Sequence, residues 1–238
     1  MGAELQALRD MAFPGRVIVI GQSANRLRFV LYGLARREAA GRNRHLAIAG
    51  DRINVVSNEE NSILYAALIC GDGIAVGNGE HTTRIHEWLA KVTDPVEVLE
   101  KALRNVFYRF SKGTGKASWI PKISGCVKGG EAALSIAYVE ADGNPKQAFH
   151  RVDLGPGTGA FITTYAVSGK AHAEAFKAPP KGVSIPWTTL EAAMDALYEA
   201  LGPVAGGPDY RLGVAGVVTN ERGDTEMRVK NRAELAAF

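Results

Sequence analysis

The sequence predicts an α+β fold in which two antiparallel sheets stack, with helices on the outside. Three observations lead there. Val17–Ile20, Leu64–Ile69 and Val214–Val218 are apolar on both parities. A half-exposed strand alternates instead, so these strands belong to sheets covered on both faces. Short turns join neighbouring strands, which favours antiparallel pairing over βαβ crossovers. The helical patterns fall in separate blocks, as layers flanking stacked sheets require.

The strands read as follows. Arg16–Gln22 and Leu27–Ala35 flank the polar link Ser23–Arg26 as a hairpin. Leu46–Ala49 and Ile53–Ser57 flank Gly50-Asp51-Arg52, and Ile63–Cys70 and Ile74–Gly77 flank Gly71-Asp72-Gly73. Lys122–Val127 and Ala132–Glu140 flank Lys128-Gly129-Gly130. Gln147–Asp153 and Ala160–Val167 flank Gly155-Pro156-Gly157-Thr158-Gly159. That link resembles a dinucleotide loop, but it contains Pro and lacks a strand-to-helix context, so it reads as a hairpin loop. Arg211–Thr219 is a late strand.

A first helix spans Thr82–Val92, with Ile85, Trp88, Leu89 and Val92 on one stripe. Asp94-Pro95-Val96-Glu97 is a helix start, and the apolar face Leu99, Ala102, Leu103, Val106, Phe107, Phe110 predicts continuation up to Gly113–Gly115. A third helix begins at Thr188, with Glu191 in capping-box spacing, and ends at Gly202. Ala171–Lys177 is a candidate short fourth helix. Glu221–Phe238 is a peripheral strand and helix or a frayed tail.

Composition sets the class. At 238 residues, with 46% hydrophobic and 22% charged residues, the chain is globular and long enough for a sizeable core. No apolar run approaches the roughly 20 residues of a membrane helix. Residues 1–10 lack the apolar stretch of a secretory signal. Cys70 and Cys126 are too few for a disulfide scaffold or a zinc site of their own, and the expectation is a soluble, cytoplasmic protein. Residues 1–14 read as an N-terminal extension and 15–238 as one domain. The five histidines show no metal spacing, and no P-loop, HExxH or GxSxG occurs. No cofactor or metal is expected.

The net charge of +3 hides a local concentration. Arg26–Arg44 holds six arginines and one acid, a net +5 that leaves −2 elsewhere. Nucleic-acid binders spread basic charge more widely. A focused arginine cluster suits one small anion such as phosphate. The ordinary alternative is a solvated basic loop. A second unusual segment, Gly77-Asn78-Gly79-Glu80-His81-Thr82, lies where a strand gives way to a helix, and its glycines let backbone approach a ligand.

The chain resembles the archaeal-type IMP cyclohydrolase family. The resemblance rests on Gly15-Arg16-Val17-Ile18-Val19-Ile20-Gly21, Val30-Leu31-Tyr32, the arginine-rich stretch ending Asn43-Arg44, and Asn61-Ser62-Ile63-Leu64-Tyr65. It continues through Gly77–Thr82, Pro121-Lys122-Ile123, Gly129-Gly130-Glu131-Ala132 and Thr163-Thr164-Tyr165, in matching order over residues 15–220. It implies an Ntn-hydrolase-like, four-layer αββα sandwich. It also implies ring closure of 5-formamidoimidazole-4-carboxamide ribonucleotide to IMP with loss of water, a cyclohydrolase step of purine biosynthesis. Gly33, Ala66 and Lys122 stand where the family pattern has Arg, Asn and Arg.

On this basis Tyr65, Lys122 and Glu131 are the expected catalytic residues. Arg36, Arg37, Asn43, Arg44, Asn78, Gly79, His81, Thr164 and Tyr165 are expected to bind substrate. The expected partner is a small ribonucleotide, with neither nucleic acid nor membrane, and a homo-oligomer fits. Three alternatives stay open: a divergent member acting on a related imidazole or purine ribonucleotide, a catalytically inactive nucleotide-binding protein, and a self-cleaving Ntn amidohydrolase with Gly125-Cys126 or Gly157-Thr158 as scissile bond.

Overall fold

A computed structural model describes residues 5–37, 43–57, 62–106, 120–166, 174–204 and 206–232, and the backbone of 109–111 and 117–119. In chain order the elements are α1 (Gln6–Arg9), β1 (Arg16–Gln22), β2 (Arg28–Ala35), β3 (Arg44–Ala49), β4 (Arg52–Ser57), β5 (Ser62–Cys70) and β6 (Ile74–Gly77). Then follow α2 (His81–Leu89), α3 (Pro95–Ala102), β7 (Arg109–Ser111), β8 (Ala117–Trp119), β9 (Lys122–Lys128) and β10 (Glu131–Val139). The chain continues with β11 (Pro145–Val152), β12 (Thr158–Thr163), β13 (Lys181–Ser184), α4 (Leu190–Ala200), β14 (Arg211–Thr219) and β15 (Thr225–Asn231).

Two large antiparallel sheets result. One has six strands in the order β13-β12-β1-β2-β14-β15, the other seven in the order β11-β10-β9-β6-β5-β4-β3. The double-sided apolar pattern has a direct cause. On β1, Ile18 and Ile20 join one buried cluster with Val55, Leu68, Val76, Ile123 and Leu134 of the seven-stranded sheet. Val17 and Val19, on the opposite parity, pack instead with Leu190, Met194 and Leu197 of α4. The seven-stranded sheet does the same: Ala75, Cys126 and Ala133 pack with Ile85 and Leu89 of α2 and Val98 and Leu99 of α3. Alternate residues thus serve two cores.

Several expectations need correction. The Gly155–Gly159 link is not a hairpin: β11 pairs with β10, whereas β12 pairs with β1 and β13, so the link carries the chain from one sheet to the other. Apolar strands on both sides of a short link look alike whether or not they pair. Helix α3 ends at Ala102 rather than running to Phe110. Leu103 leaves helical geometry, Asn105 takes a φ of 61°, and residues 109–111 form a strand. Phe107 and Gly113–Gly115 lie outside the described residues, as do Ala171–Ala173 and the 233–238 tail. Of the candidate helix over 171–177, the described part is extended, because Ala175 bridges Tyr165. The cap of α4 is Thr189, whose hydroxyl accepts from Ala192 N–H at 3.2 Å. Asp94 caps α3 as expected, accepting from Val96 and Glu97 N–H. The peripheral strand of the C-terminal segment is β15.

No helix among the described residues is long and apolar enough to cross a membrane. Among the same residues no group of three or more His, Cys, Asp or Glu is placed to hold a metal ion. Within the segment expected to be an extension, Leu5, Leu8 and Met11 are buried in the α4 core. Leu8→Ala is therefore expected to cost about 2–4 kcal/mol, the range for emptying a buried leucine site. Chemical denaturation checks this, and wild-type stability in the variant would show that residues 5–11 add nothing to the domain.

Candidate active site

The site grows from the seam between the sheets. β1 opens with Arg16, a cation at the head of five consecutive buried residues. Thr164 fixes its backbone from both sides. Arg16 N–H donates to Thr164 Oγ1 at 3.2 Å, and Thr164 N–H donates to Arg16 O at 2.9 Å. Gly15 precedes it at a φ of +75°, and a side chain there would strike the Tyr165 ring at 2.7 Å. The Arg16 guanidinium donates to Ala35 O at 2.9 Å and lies close enough to the phenols of Tyr32 and Tyr65 to interact with both electrostatically. Those hydroxyls lie 2.9 Å apart. Tyr32 stands on β2 of the six-stranded sheet and Tyr65 on β5 of the seven-stranded one, so the three side chains tie the two sheets together.

Burial works to lower the Arg16 pKa, but the two phenols outweigh it and hold the guanidinium firmly charged. Burial first, and then Tyr65, raise the Tyr32 pKa well above the usual phenol value, against the pull of Arg16. Arg44 opens β3 beside them, and its pKa is lowered by partial burial and by the charges of Arg36 and Arg16. Three guanidinium groups thus converge.

The second arm of the site is the β6–α2 bend. Asn78 is spent on the backbone around Lys122. Its Nδ2 donates to Pro121 O at 3.0 Å, its Oδ1 accepts from Ile123 N–H at 3.0 Å, and its own N–H donates to Ile123 O at 3.2 Å. Its amide braces residues 121–123, so both of its polar side-chain atoms are engaged with the backbone that flanks Lys122. Gly79 is required by close approach: a Cβ there would sit 3.1 Å from His81 Nδ1 and 3.4 Å from Lys122 Nζ. The Lys122 ammonium is pushed down to about 8, by burial first and then by Arg16, with Glu80 pulling the other way. Its electrostatic coupling to Arg16 joins the two arms.

His81 is fully buried. Its Nε2 lies 3.3 Å from Ile123 O, which only accepts, so Nε2 carries the hydrogen and Nδ1 the lone pair. Burial, then Lys122, push its pKa down to about 3. It is a neutral imidazole in the wall of the site.

The remaining expected residues divide. Arg37 lies over the Phe13 ring at 4.9 Å and near Tyr210 at 6.0 Å. Phe13 stacks on Tyr165 with centroids 5.7 Å apart. An aromatic wall with its own guanidinium therefore flanks Arg16, and Arg36 N–H donates to Tyr210 O beside it. Asn43 immediately precedes Arg44, with its Oδ1 buried and without a hydrogen-bond partner. Arg42 and Asn61 lie outside the described residues.

Glu131 does not join the cluster. Lys128 pairs with Glu131 and Lys122 with Ala137, which puts Glu131 and Lys122 at opposite ends of the β9–β10 hairpin, about 20 Å apart at about 3.3 Å per residue. The Glu131 carboxylate is exposed and pairs with Arg151 at 3.1 Å, on a depression where Asp153 also sits. Both signs of charge meet there, and no single anion is favoured.

Arg16 and Tyr32 lie in the motifs that carry the resemblance, but neither is among the expected site residues. The available signals were a cation opening a strand apolar on both faces, and a hydroxyl in the middle of another.

The chain belongs to the IMP cyclohydrolase-like protein family, whose family model matches residues 13–203. Among curated proteins no match accompanies it. The matched span contains Arg16, Tyr32, Arg44, Tyr65, His81 and Lys122.

The buried neutral imidazole gives a pH prediction. His81 is unprotonated in the folded chain down to about 3 but titrates near 6.5 when unfolded. The unfolded state thus binds the extra proton, and stability falls as pH drops from 6.5 towards 3. One such group contributes a slope of about 1.4 kcal/mol per pH unit. The interval from 6.5 to 5 lies above most carboxylate titrations. Unfolding free energies across it are expected to lose about one proton of pH dependence in His81→Gln. An unchanged slope contradicts a buried neutral His81.

Proposed function

We propose that the chain closes the ring of 5-formamidoimidazole-4-carboxamide ribonucleotide to IMP, releasing water. One observation carries the reading: within a chain of this family, Arg16, Arg36, Arg44 and Lys122 crowd like charges beside two phenols at the sheet seam. Such crowding is unfavourable, and a phosphate dianion gripped by guanidinium groups offsets it. The same reading takes the two sheets and their helices as an αββα, Ntn-hydrolase-like sandwich. It makes the chain a cyclohydrolase of purine biosynthesis.

In this reading Arg36 and Arg44 hold the phosphate, and the Phe13–Tyr165 wall lies against the ring system. The two reacting groups belong to one molecule, so holding it folded supplies much of the catalysis. The carboxamide nitrogen attacks the formyl carbon and gives up one proton. With a pKa near 8, about a tenth of Lys122 is neutral amine at pH 7 and able to accept it. The formyl oxygen becomes a hydroxyl with a proton from Tyr65. That hydroxyl leaves as water with the proton of the former formamido nitrogen, leaving a C=N bond. His81, neutral and buried, shapes the pocket without adding charge.

At Gly125-Cys126 the self-cleaving alternative finds little support. Cys126 lies inside β9, its thiol donating to Pro95 O at 3.4 Å and its pKa raised well above the usual range by burial. A reactive thiol needs the opposite.

An absorbance assay with the formamido ribonucleotide, with IMP identified as product, tests the proposal. Lys122→Met and Arg44→Ala are each expected to lower kcat/KM by about 10²-fold or more, by loss of proton transfer and of phosphate charge respectively. Glu131→Ala is expected to stay within about threefold of wild type. In wild type kcat/KM should rise with pH up to about 8 as Lys122 deprotonates. Binding of IMP without turnover would instead mark a nucleotide-binding protein that lacks the chemistry.

A further inference from the structure

We infer that Tyr32 is a positioning residue that aims the hydroxyl hydrogen of Tyr65 into the site. Arg16 lies beside both phenols, and its charge favours oxygen lone pairs turned towards it. Between the two hydroxyls, 2.9 Å apart, one must donate to the other. Tyr32 is fully buried, and its side chain belongs to the core between the sheets. Were Tyr65 the donor, the Tyr32 hydrogen would face that core unpaired, at about 1–3 kcal/mol. Tyr32 therefore donates to Tyr65.

The consequence falls on Tyr65, which is only partly buried. Its oxygen accepts from Tyr32 at 2.9 Å and faces the nearby Arg16 charge. Its own hydrogen is left for an acceptor on the open side, where Arg44 lies near. A phenol whose oxygen accepts a hydrogen bond beside a cation is a strengthened donor. It is also a preoriented one, the arrangement that stabilises a developing oxyanion. Burial keeps Tyr32 a neutral phenol, so the arrangement persists across the working pH range.

The test is a double-substitution cycle resting on the proposed cyclisation, with a structural readout that does not. Tyr65→Phe is expected to lower kcat about 10²-fold. Tyr32→Phe keeps the buried ring and should lower kcat about tenfold while KM stays within twofold. The double variant should be no slower than Tyr65→Phe, because Tyr32 acts only through that hydroxyl. Multiplying losses, or full activity in Tyr32→Phe, overturns the inference. Neutron diffraction from deuterium-exchanged crystals gives the independent readout. The Tyr32 deuteron is expected on the line to Tyr65 Oη, with the Tyr65 deuteron pointing away; the reverse placement overturns the inference whatever the activity. A wild-type chain that forms no IMP removes the cyclisation reading alone and leaves the neutron result to decide the proton's direction.

Discussion

The molecule is organised around one costly interaction, a guanidinium held at the seam of two sheets. A cation taken out of water needs several well-placed partners. Arg16 finds the Ala35 carbonyl on its own sheet's β2, the Tyr32 phenol beside it, and the Tyr65 phenol across the interface. These partners come from both sheets, so the charge is satisfied only when the sheets stack in one register. The packing of Ile18, Ile20 and Val30 against Leu68, Val76 and Ile123 drives the stacking. Non-directional apolar contact does not select one alignment as sharply as a three-centre polar contact does.

That arrangement explains where the other cations sit. Arg44 opens β3 at the edge of the seven-stranded sheet, and Lys122 opens β9 in its interior. Each is shifted by the charge of Arg16, Arg44 downward and Lys122 downward to about 8. Crowding of this kind lowers the stability of the unliganded fold. It is the cost that functional sites commonly carry in exchange for affinity towards an oppositely charged ligand. The sheets can bear it because large apolar cores lie between the layers and beneath the helices.

Much of the fold was legible because its strands announce burial on both faces. Val17 and Val19 need α4, and Ile18 and Ile20 need the opposite sheet, so continuous apolar strands could belong only to covered sheets. Partnering was less legible. β11 and β12 flank a short turn-like link yet lie in different sheets, since hydrophobic pattern encodes faces and not neighbours. The same limit governs the site. Tyr65, Lys122, Arg44 and His81 were picked out by type and by resemblance, and the structure brings them together. Glu131 was picked out the same way, but a strand's two ends are chemically alike in sequence, and it stands at the wrong one. Arg16 and Tyr32 were passed over because strand heads and strand interiors are read for packing first.

Lys122 shows what a titratable side chain gains over a permanently charged one at this position. Arginine at that position would stay protonated under all working conditions and contribute only charge. Lysine on a shorter, titratable head group responds to its surroundings. Here burial and Arg16 bring its pKa down to about 8, while the Asn78 amide holds the backbone on both of its sides and Gly79 leaves room beside Nζ. In the proposed reading Lys122 is therefore an adjustable proton acceptor that still adds a cation to the cluster at low pH. In that reading Asn78 gains its importance from holding Lys122. A base must be held within hydrogen-bond reach of the proton it takes, and a flexible four-carbon stem achieves that only from a backbone that does not move.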